Sequence, residues 1–398
     1  MEYLAVVEFC FADRPSGAGR VAWDIATAMR QRGHSVTLLC YLANNEMPEG
    51  LELMDGIRVV RFRKSERPSW HPARLRAIRD DTAAACRTWL GDRRFDIVHV
   101  HSPIQGVGVL AGLGRRPRYV YTAHSPVVLE QDIIWRSQGW TGWLKLLLGR
   151  GLLASVERRM LEASAAIHAL SEFTRSELER SYRVGQRVSV IPHWYTPRGP
   201  RLGKPEARRA LGWPQDAKIF LTIRGMGPRY GLDLAIRALG PLTQESDCHF
   251  YLGGDGQLRP QLEALAATFR RAGSADERIH FMGRISDEQL ETTYAAADLF
   301  ILPTLALECF GLITIEAMSF GCPVLGTDAA AIPESLGPIV PEFIVPAGDV
   351  AALQSRARQF LQGNLSVPDR QTLIDYAGGR YGEATVVPAL LRLFEPFV

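Results

Sequence analysis

Short runs of apolar, β-branched residues alternate with longer helical stretches along nearly the whole chain. Many of these runs are apolar on both faces, as in Asp96-Ile-Val-His-Val and Ala297-Asp-Leu-Phe-Ile-Leu. A strand without polar alternation belongs in a sheet covered on both sides. Strand–helix alternation then calls for right-handed βαβ units and parallel sheets. The expected strands are 4–7, 36–40, 57–62, 97–100, 119–123, 166–170 and 188–191, followed by 219–223, 249–253, 279–282, 299–302, 324–327 and 343–345. Helical stretches such as 19–32 and 312–321 lie between them.

The pattern restarts once, across Pro192-His-Trp-Tyr-Thr-Pro-Arg-Gly-Pro-Arg-Leu-Gly-Lys-Pro205, which has the proline and glycine density of a linker. The fold class is therefore α/β, with two doubly wound Rossmann-like domains, 1–196 and 197–379. Ligands in such sheets bind at the carboxyl ends of the strands, and two facing sheets would make a cleft.

Composition removes several alternatives. The 398 residues are 46% hydrophobic and 22% charged with a net charge of +3, which excludes a disordered chain and gives no ground for a nucleic-acid partner. Lysine stands only at Lys64, Lys145, Lys204 and Lys218, so 42 of the 46 cations are arginines. Codon usage in a GC-rich genome accounts for this, although the arginine fork also matches phosphate geometry. The six cysteines lack Cys-x-x-Cys spacing and have mostly apolar neighbours, as buried thiols in a reducing compartment would. The start Met-Glu-Tyr-Leu does not resemble a signal peptide, and no apolar run approaches about 18 residues, so a cytoplasmic protein is expected.

The segment richest in chemistry is Glu308-Cys-Phe-Gly-Leu-Ile-Thr-Ile-Glu316-Ala-Met-Ser-Phe-Gly-Cys-Pro-Val. Phe310-Gly311 follows a strand and precedes a helix, and the free N–H groups of a helix start favour an anion. Glu316 lies among apolar neighbours, where an unpaired carboxylate costs several kcal/mol. A ribose diol would suit it, while a capping Glu308 and a salt-bridged Glu316 are the plainer alternatives.

This segment resembles the signature of retaining glycosyltransferases with the GT-B architecture, specifically the large family 4 group. The resemblance extends over most of the chain: Gly17-Ala-Gly-Arg-Val and Met29-Arg-Gln-Arg-Gly-His-Ser-Val-Thr, Asp96-Ile-Val-His-Val-His, Thr122-Ala-His124, Leu170-Ser-Glu-Phe-Thr and Gly283-Arg-Ile-Ser-Asp-Glu-Gln-Leu also fit. It implies a hexosyltransferase using a nucleoside-diphosphate sugar as co-substrate, with no cofactor, and a sugar, glycolipid or other hydroxyl compound as acceptor. It also implies that the last helix, within 380–398, returns to the N-terminal domain. By the resemblance, Glu308 and His124 contact the donor sugar at the reacting centre. Glu316 holds the ribose. Backbone amides at Phe310, Gly311 and Leu312 cradle the distal phosphate or sugar hydroxyls, and Gly283, Arg284 and Ile285 flank the base.

Two segments depart from the family pattern. In Thr222-Ile-Arg224-Gly-Met-Gly-Pro-Arg229-Tyr-Gly231, the places of the two diphosphate-binding cations are taken by Gly225 and Tyr230. Arg224 and Arg229 stand one residue away. An arginine–phosphate contact contributes roughly 1.5–3 kcal/mol, so Arg229, and less directly Arg224, is expected to take over. A structural salt bridge is the equal alternative for Arg224. The first loop has Ser16-Gly17 where the family has two glycines, and Gly17 still permits close approach of a phosphate or acceptor. Leu252-Gly-Gly-Asp-Gly256 lacks G-x-G-x-x-G spacing and reads as a strand-to-helix turn.

Metal is not expected, since Asp-x-Asp is absent and His99 and His101 have no nearby ligand partner in sequence. His101 is expected to line the site or to pack. Trp135-Arg-Ser-Gln-Gly-Trp140-Thr-Gly-Trp143 sets aromatics beside arginine, a combination that suits stacking on a sugar ring or touching a membrane interface. Trp135 and Trp140 are read as acceptor contacts, and 144–153 as a core helix. A sugar-nucleotide 2-epimerase and a non-catalytic nucleotide-sugar-binding subunit remain as alternatives, the latter because both usual cations are missing.

Overall fold

The computed structural model describes residues 1–65, 73–136, 138–199, 201–270 and 277–397; Ser137 of the tryptophan segment and Pro200 of the linker lie outside these. The chain forms two compact units, Met1–Pro192 with Val387–Val398, and His193–Val386.

Unit 1 contains strands β1 (Glu2–Phe9), β2 (Ser35–Tyr41), β3 (Gly50–Met54), β4 (Ile57–Phe62), β5 (Ile97–Val100), β6 (Arg118–Ala123), β7 (Ala166–Ala169) and β8 (Val188–Val190). Its helices are α1 (Gly17–Gln31), α2 (Arg74–Ala85), α3 (Pro103–Leu113), α4 (Val127–Arg136), α5 (Trp140–Ala163) and α6 (Glu172–Tyr182). The sheet order is β3-β4-β2-β1-β5-β6-β7-β8, parallel except where β3 meets β4. The sequence reading missed β3, because its middle residues are exposed and offer no apolar run. A signal was nevertheless present: Asp55-Gly56, at φ 50 and 78, closes a two-residue hairpin into β4, as an Asp-Gly pair favours.

Unit 2 contains β9 (Lys218–Ile223), β10 (Cys248–Gly253), β11 (Ile279–Gly283), β12 (Leu299–Leu302), β13 (Val324–Thr327) and β14 (Ile344–Val345). Its helices are α7 (Lys204–Leu211), α8 (Leu232–Glu245), α9 (Arg259–Ala267), α10 (Asp287–Ala296), α11 (Leu312–Ser319), α12 (Ile332–Leu336), α13 (Val350–Leu361) and α14 (Arg370–Tyr381). The last helix, α15 (Glu383–Phe394), begins in unit 2, and its residues from Val387 onward count with unit 1, where Phe394 packs against Tyr3 and His99. The all-parallel sheet runs β11-β10-β9-β12-β13-β14. Both sheets reverse direction beside their first strand, at β1/β5 and at β9/β12. In doubly wound sheets the carboxyl ends of the strands at such a reversal are where ligands bind.

The units divide at 192/193 and 386/387 rather than at 196/197 and 379/380. The expected linker is already held by unit 2: the Tyr195 amide donates to the Tyr381 carbonyl at 3.1 Å and its hydroxyl to Glu291 at 2.9 Å. All six cysteines are buried and free, and burial pushes the Cys86, Cys248 and Cys322 thiols up to about 12.

Unit 2 is braced by a buried cation hub. Arg208 donates to the carbonyls of Ala296, Gln215 and Ala217 at 3.0, 2.6 and 3.1 Å, and to Asp298 at 2.5 Å. Asp298 also accepts from Lys204 Nζ at 2.7 Å and from the Ile219 amide at 2.8 Å. Burial alone would raise the Asp298 pKa, but Lys204, the Ile219 amide and Arg208 together hold it below the usual 3.8. A depressed carboxylate pKa contributes stability above the unfolded value, and that contribution fades as pH falls through the folded value. Asp298→Asn is expected to cost about 3–5 kcal/mol at pH 7, because it leaves the buried Arg208 uncompensated. Urea unfolding at neutral pH and below pH 3.8 would check this: the gap between wild type and variant should shrink in acid.

Candidate functional site

In unit 2 the loops leaving β9 and β12 meet at the order reversal. Gly231 makes this approach possible: it sits at φ +65, and a Cβ there would lie 2.0 Å from the Pro303 carbonyl oxygen. The Leu305 amide donates to the Arg229 carbonyl at 2.9 Å, stitching the loops together. Arg224, almost fully buried, donates to the Glu308 carboxylate and to the Thr304 hydroxyl. Arg229 donates to the Leu307 carbonyl at 2.5 Å and to the Tyr230 hydroxyl at 3.0 Å. Both guanidinium carbons lie 4.6 Å from the Tyr230 ring centroid, so one aromatic ring carries two arginines. Leu307, whose carbonyl is engaged, has a φ of 53, a left-handed conformation that a branched residue adopts only where its surroundings impose it.

Arg224 forms a salt bridge, and its partner is the other expected site residue, Glu308. Tyr230 and Thr304 were missed. Tyr230 had been noted only for lacking a positive charge, whereas the position of Thr304, just past the end of β12, was a usable signal.

α11 starts at Gly311, which has φ +76, and no side chain caps it. The first amides, Leu312 among them, therefore lack intrahelical acceptors. A Cβ on Gly311 would lie 3.2 Å from Thr314 Oγ1 and 3.4 Å from Glu308 Cγ. That Thr314 hydroxyl is buried and, among the described residues, has no hydrogen-bond partner. A helix start, a carboxylate and an unused hydroxyl thus converge on a residue without a side chain. Phe310 is buried and edges onto Tyr381, with ring centroids 5.9 Å apart. Glu316 is buried and accepts from the Tyr294 hydroxyl of α10 at 2.8 Å. Tyr294, also missed from sequence, is fully buried, and burial followed by the Glu316 charge raises its pKa well above the usual value. Gly283 ends β11 with φ +71, Arg284 is exposed, and Ile285 lies over Gly253, where a Cβ would stand 2.4 Å from its Cδ1.

In unit 1, His101 and His124 leave the carboxyl ends of β5 and β6. His101 Nδ1 and His124 Nε2 are 3.0 Å apart with stacked rings, so one donates and the other accepts. Beneath them runs a buried chain. His168 Nε2 is 2.8 Å from the Ile191 carbonyl, which only accepts, so that nitrogen carries the proton. With a neutral His168 ring, Thr122 must donate to its Nδ1 at 2.9 Å and accept from His99 Nε2 at 2.5 Å. His99 Nδ1 then accepts from Tyr3 at 2.6 Å. This order requires a neutral His99, in keeping with burial driving its pKa well below 6.5.

Gly17 opens α1 and is exposed with open space around its Cα, whereas Gly19 is packed beneath Ser16 and Phe9. Trp135 rests on Gly149, where a Cβ would lie 2.7 Å from the indole, so it packs α4 on α5. Trp140 stands out in solvent. The expected core helix 144–153 is two-faced: Leu146 and Leu153 are buried, while Leu144, Leu147 and Leu152 are exposed.

Family models for "Glycosyltransferase Family 4" and "Glycosyl transferases group 1" match residues 15–197 and 217–363. The chain is 24% identical over 391 residues to the phosphatidyl-myo-inositol mannosyltransferase of Mycobacterium leprae (strain TN), covering 96% of this chain and 94% of that one. Among solved structures, sucrose-phosphate synthase from Thermosynechococcus elongatus superposes with a TM-score of 0.79 at 18% identity, over 99% and 98% of the two chains. HepE from Anabaena in complex with UDP-glucose gives 0.69 at 18%, over 100% of both. These structures share the two-domain GT-B fold.

Tyr294→Phe is expected to destabilise the protein by about 1.5–3 kcal/mol, the usual worth of a hydrogen bond to a charged group. Chemical denaturation of the variant measures it, and an unchanged midpoint would mean that Glu316 does not depend on Tyr294.

Proposed function

Because the chain belongs to the glycosyltransferases of family 4, with their GT-B fold, we propose that it moves a sugar from a nucleoside-diphosphate donor to a hydroxyl acceptor, with retention and without a metal. The observation that carries this reading is the convergence at Gly311. There an uncapped helix start, the Glu308 carboxylate and the unpartnered Thr314 hydroxyl surround one bare Cα, beside two arginines.

Roles follow from the chemistry of each group. The α11 amides and the charges of Arg224 and Arg229 meet the negative charge that grows on the departing diphosphate, a task for positioned dipoles and cations. Arg224 also fixes Glu308, which sits beside the donor sugar. A carboxylate already bound by arginine suits electrostatic support of an oxocarbenium-like centre better than covalent attack. Glu316, held by Tyr294, receives the ribose hydroxyls. Gly283, Arg284 and Ile285 flank the base. In the transfer step the acceptor oxygen bonds to the anomeric carbon on the face the diphosphate leaves. The sugar–phosphate bond breaks, and the acceptor proton passes to the departing phosphate oxygen. His124 with His101, and acceptor recognition, are assigned to unit 1. Solved relatives bind UDP-glucose and UDP-2-fluoro glucose, which supports a uridine donor as the first to test.

The experiment is a panel of nucleotide sugars and acceptors with nucleoside-diphosphate release as the readout. Wild type should release diphosphate and form a glycoside of unchanged anomeric configuration. Glu308→Ala, with its fold verified, should lose at least about 100-fold in turnover, as removal of one transition-state contact does. Unchanged turnover would sink the assignment, and an isomerised sugar nucleotide would replace it with epimerisation.

A further inference from the structure

The outer face of α5 is apolar. Trp140, Trp143, Leu144 and Leu147 are 79%, 57%, 52% and 79% exposed. At i, i+3, i+4 and i+7 they fall within about 100° of the helix circumference. A soluble helix ordinarily turns polar residues outward, and a contiguous exposed patch of this kind marks a contact site. The inner face leaves no doubt about orientation: Leu146 and Leu153 are buried, and Trp135 lies on Gly149. The helix is also firmly anchored. Glu157 accepts from Tyr121 at 2.8 Å, Tyr182 at 2.5 Å and the Val127 amide at 2.9 Å.

Charge identifies the partner. Residues 133–156 carry Arg136, Lys145 and Arg150 and no carboxylate. Arg136 lies over the Trp143 ring at 5.4 Å, while Arg150 reaches Asp132 at 3.5 Å. Beside this stripe is a groove of about 230 Å³ with an apolar floor that includes Ile104, Val107 and Val156, and with Arg76, Arg159 and Arg79, the last paired with Asp80 at 2.7 Å, at its margin. Leu152, 46% exposed, lines the groove on the side of the helix next to the stripe. Interfacial tryptophans, leucines that can enter an acyl layer and a cationic margin are the combination that holds a protein on an anionic bilayer. A second copy of the chain fits poorly, since a two-fold contact would set this cationic margin against itself. Among the described residues no helix is long and apolar enough to cross a membrane, so the contact is with one surface.

We propose that unit 1 docks on an anionic phospholipid bilayer through the outer face of α5, with the arginine-margined groove receiving a lipid phosphate. The proposal goes beyond the transfer reaction and does not need it. Vesicle binding reads it without turnover, so each can fail alone.

The test is co-sedimentation of the full chain with vesicles of phosphatidylcholine, or of phosphatidylcholine and phosphatidylglycerol in equal amounts. Binding to the mixed vesicles should exceed binding to neutral ones by about tenfold or more, and added salt should weaken it. Trp140→Ser with Leu147→Ser, both in solvent and checked by circular dichroism, should lower partitioning about tenfold or more. Arg76→Ser with Arg159→Ser should lower the preference for the anionic lipid, with Arg136, Lys145 and Arg150 still in place. Equal binding to both vesicles, or undiminished binding by the Trp140/Leu147 variant, overturns the proposal. So does a concentration-dependent dimer, by sedimentation velocity, that the same variant abolishes while vesicles bind nothing.

Discussion

The Arg224–Glu308 ion pair joins the loop that leaves β9 to the loop that leaves β12, and the rest of the unit 2 site is arranged around it. Parallel strands in the order β11-β10-β9-β12 open a gap at their carboxyl ends. The gap fills with backbone that has no ladder to join, and the buried Arg224 guanidinium and the partly buried Glu308 carboxylate fix it. The guanidinium, at that depth, would be costly without the carboxylate. Paired, they bring a negative and a positive charge beside the uncapped start of α11. Gly231 lets the loops touch, and the left-handed backbone at Leu307 turns a carbonyl toward Arg229. The contacts are in place without a ligand, which suits electrostatic support of a short-lived charge.

Arginine pins the chain at other buried positions as well. Arg61 binds Asp13 through two nitrogens at 2.6 and 2.9 Å and Glu52 through the third at 2.6 Å, anchoring the loop that enters α1. Arg208 serves three carbonyls and Asp298. A lysine has one nitrogen and no planar fork, so it would satisfy only part of either set. The arginine excess therefore does structural work at several buried positions, besides whatever codon usage contributes.

Much of this architecture was legible because both-face-apolar strands and a single proline-rich restart leave few topologies. β3 escaped because an exposed edge strand has no such run, although Asp55-Gly56 announced its turn. Within the site, the Glu308–Glu316 spacing and the Gly311 helix start could be read directly. The partners that hold them could not. Tyr294 lies 22 positions from Glu316, and Thr304 80 positions from Arg224, so only the fold brings them together. Tyr230 shows a different limit. Its lack of charge was visible, but not its ring carrying two arginines. The α5 face was misread in part because alternate leucines looked like core, and only burial separates Leu146 from Leu147.

The central claim is that the Gly311 helix start and the neighbouring arginines recognise a diphosphate. Calorimetric titration of the full chain with a nucleoside diphosphate and with the matching monophosphate tests it most directly. The diphosphate is expected to bind at least about tenfold more tightly, because one charge-assisted contact to the distal phosphate is worth roughly that factor. Equal affinities would contradict it, since the site would then be reading the nucleoside alone.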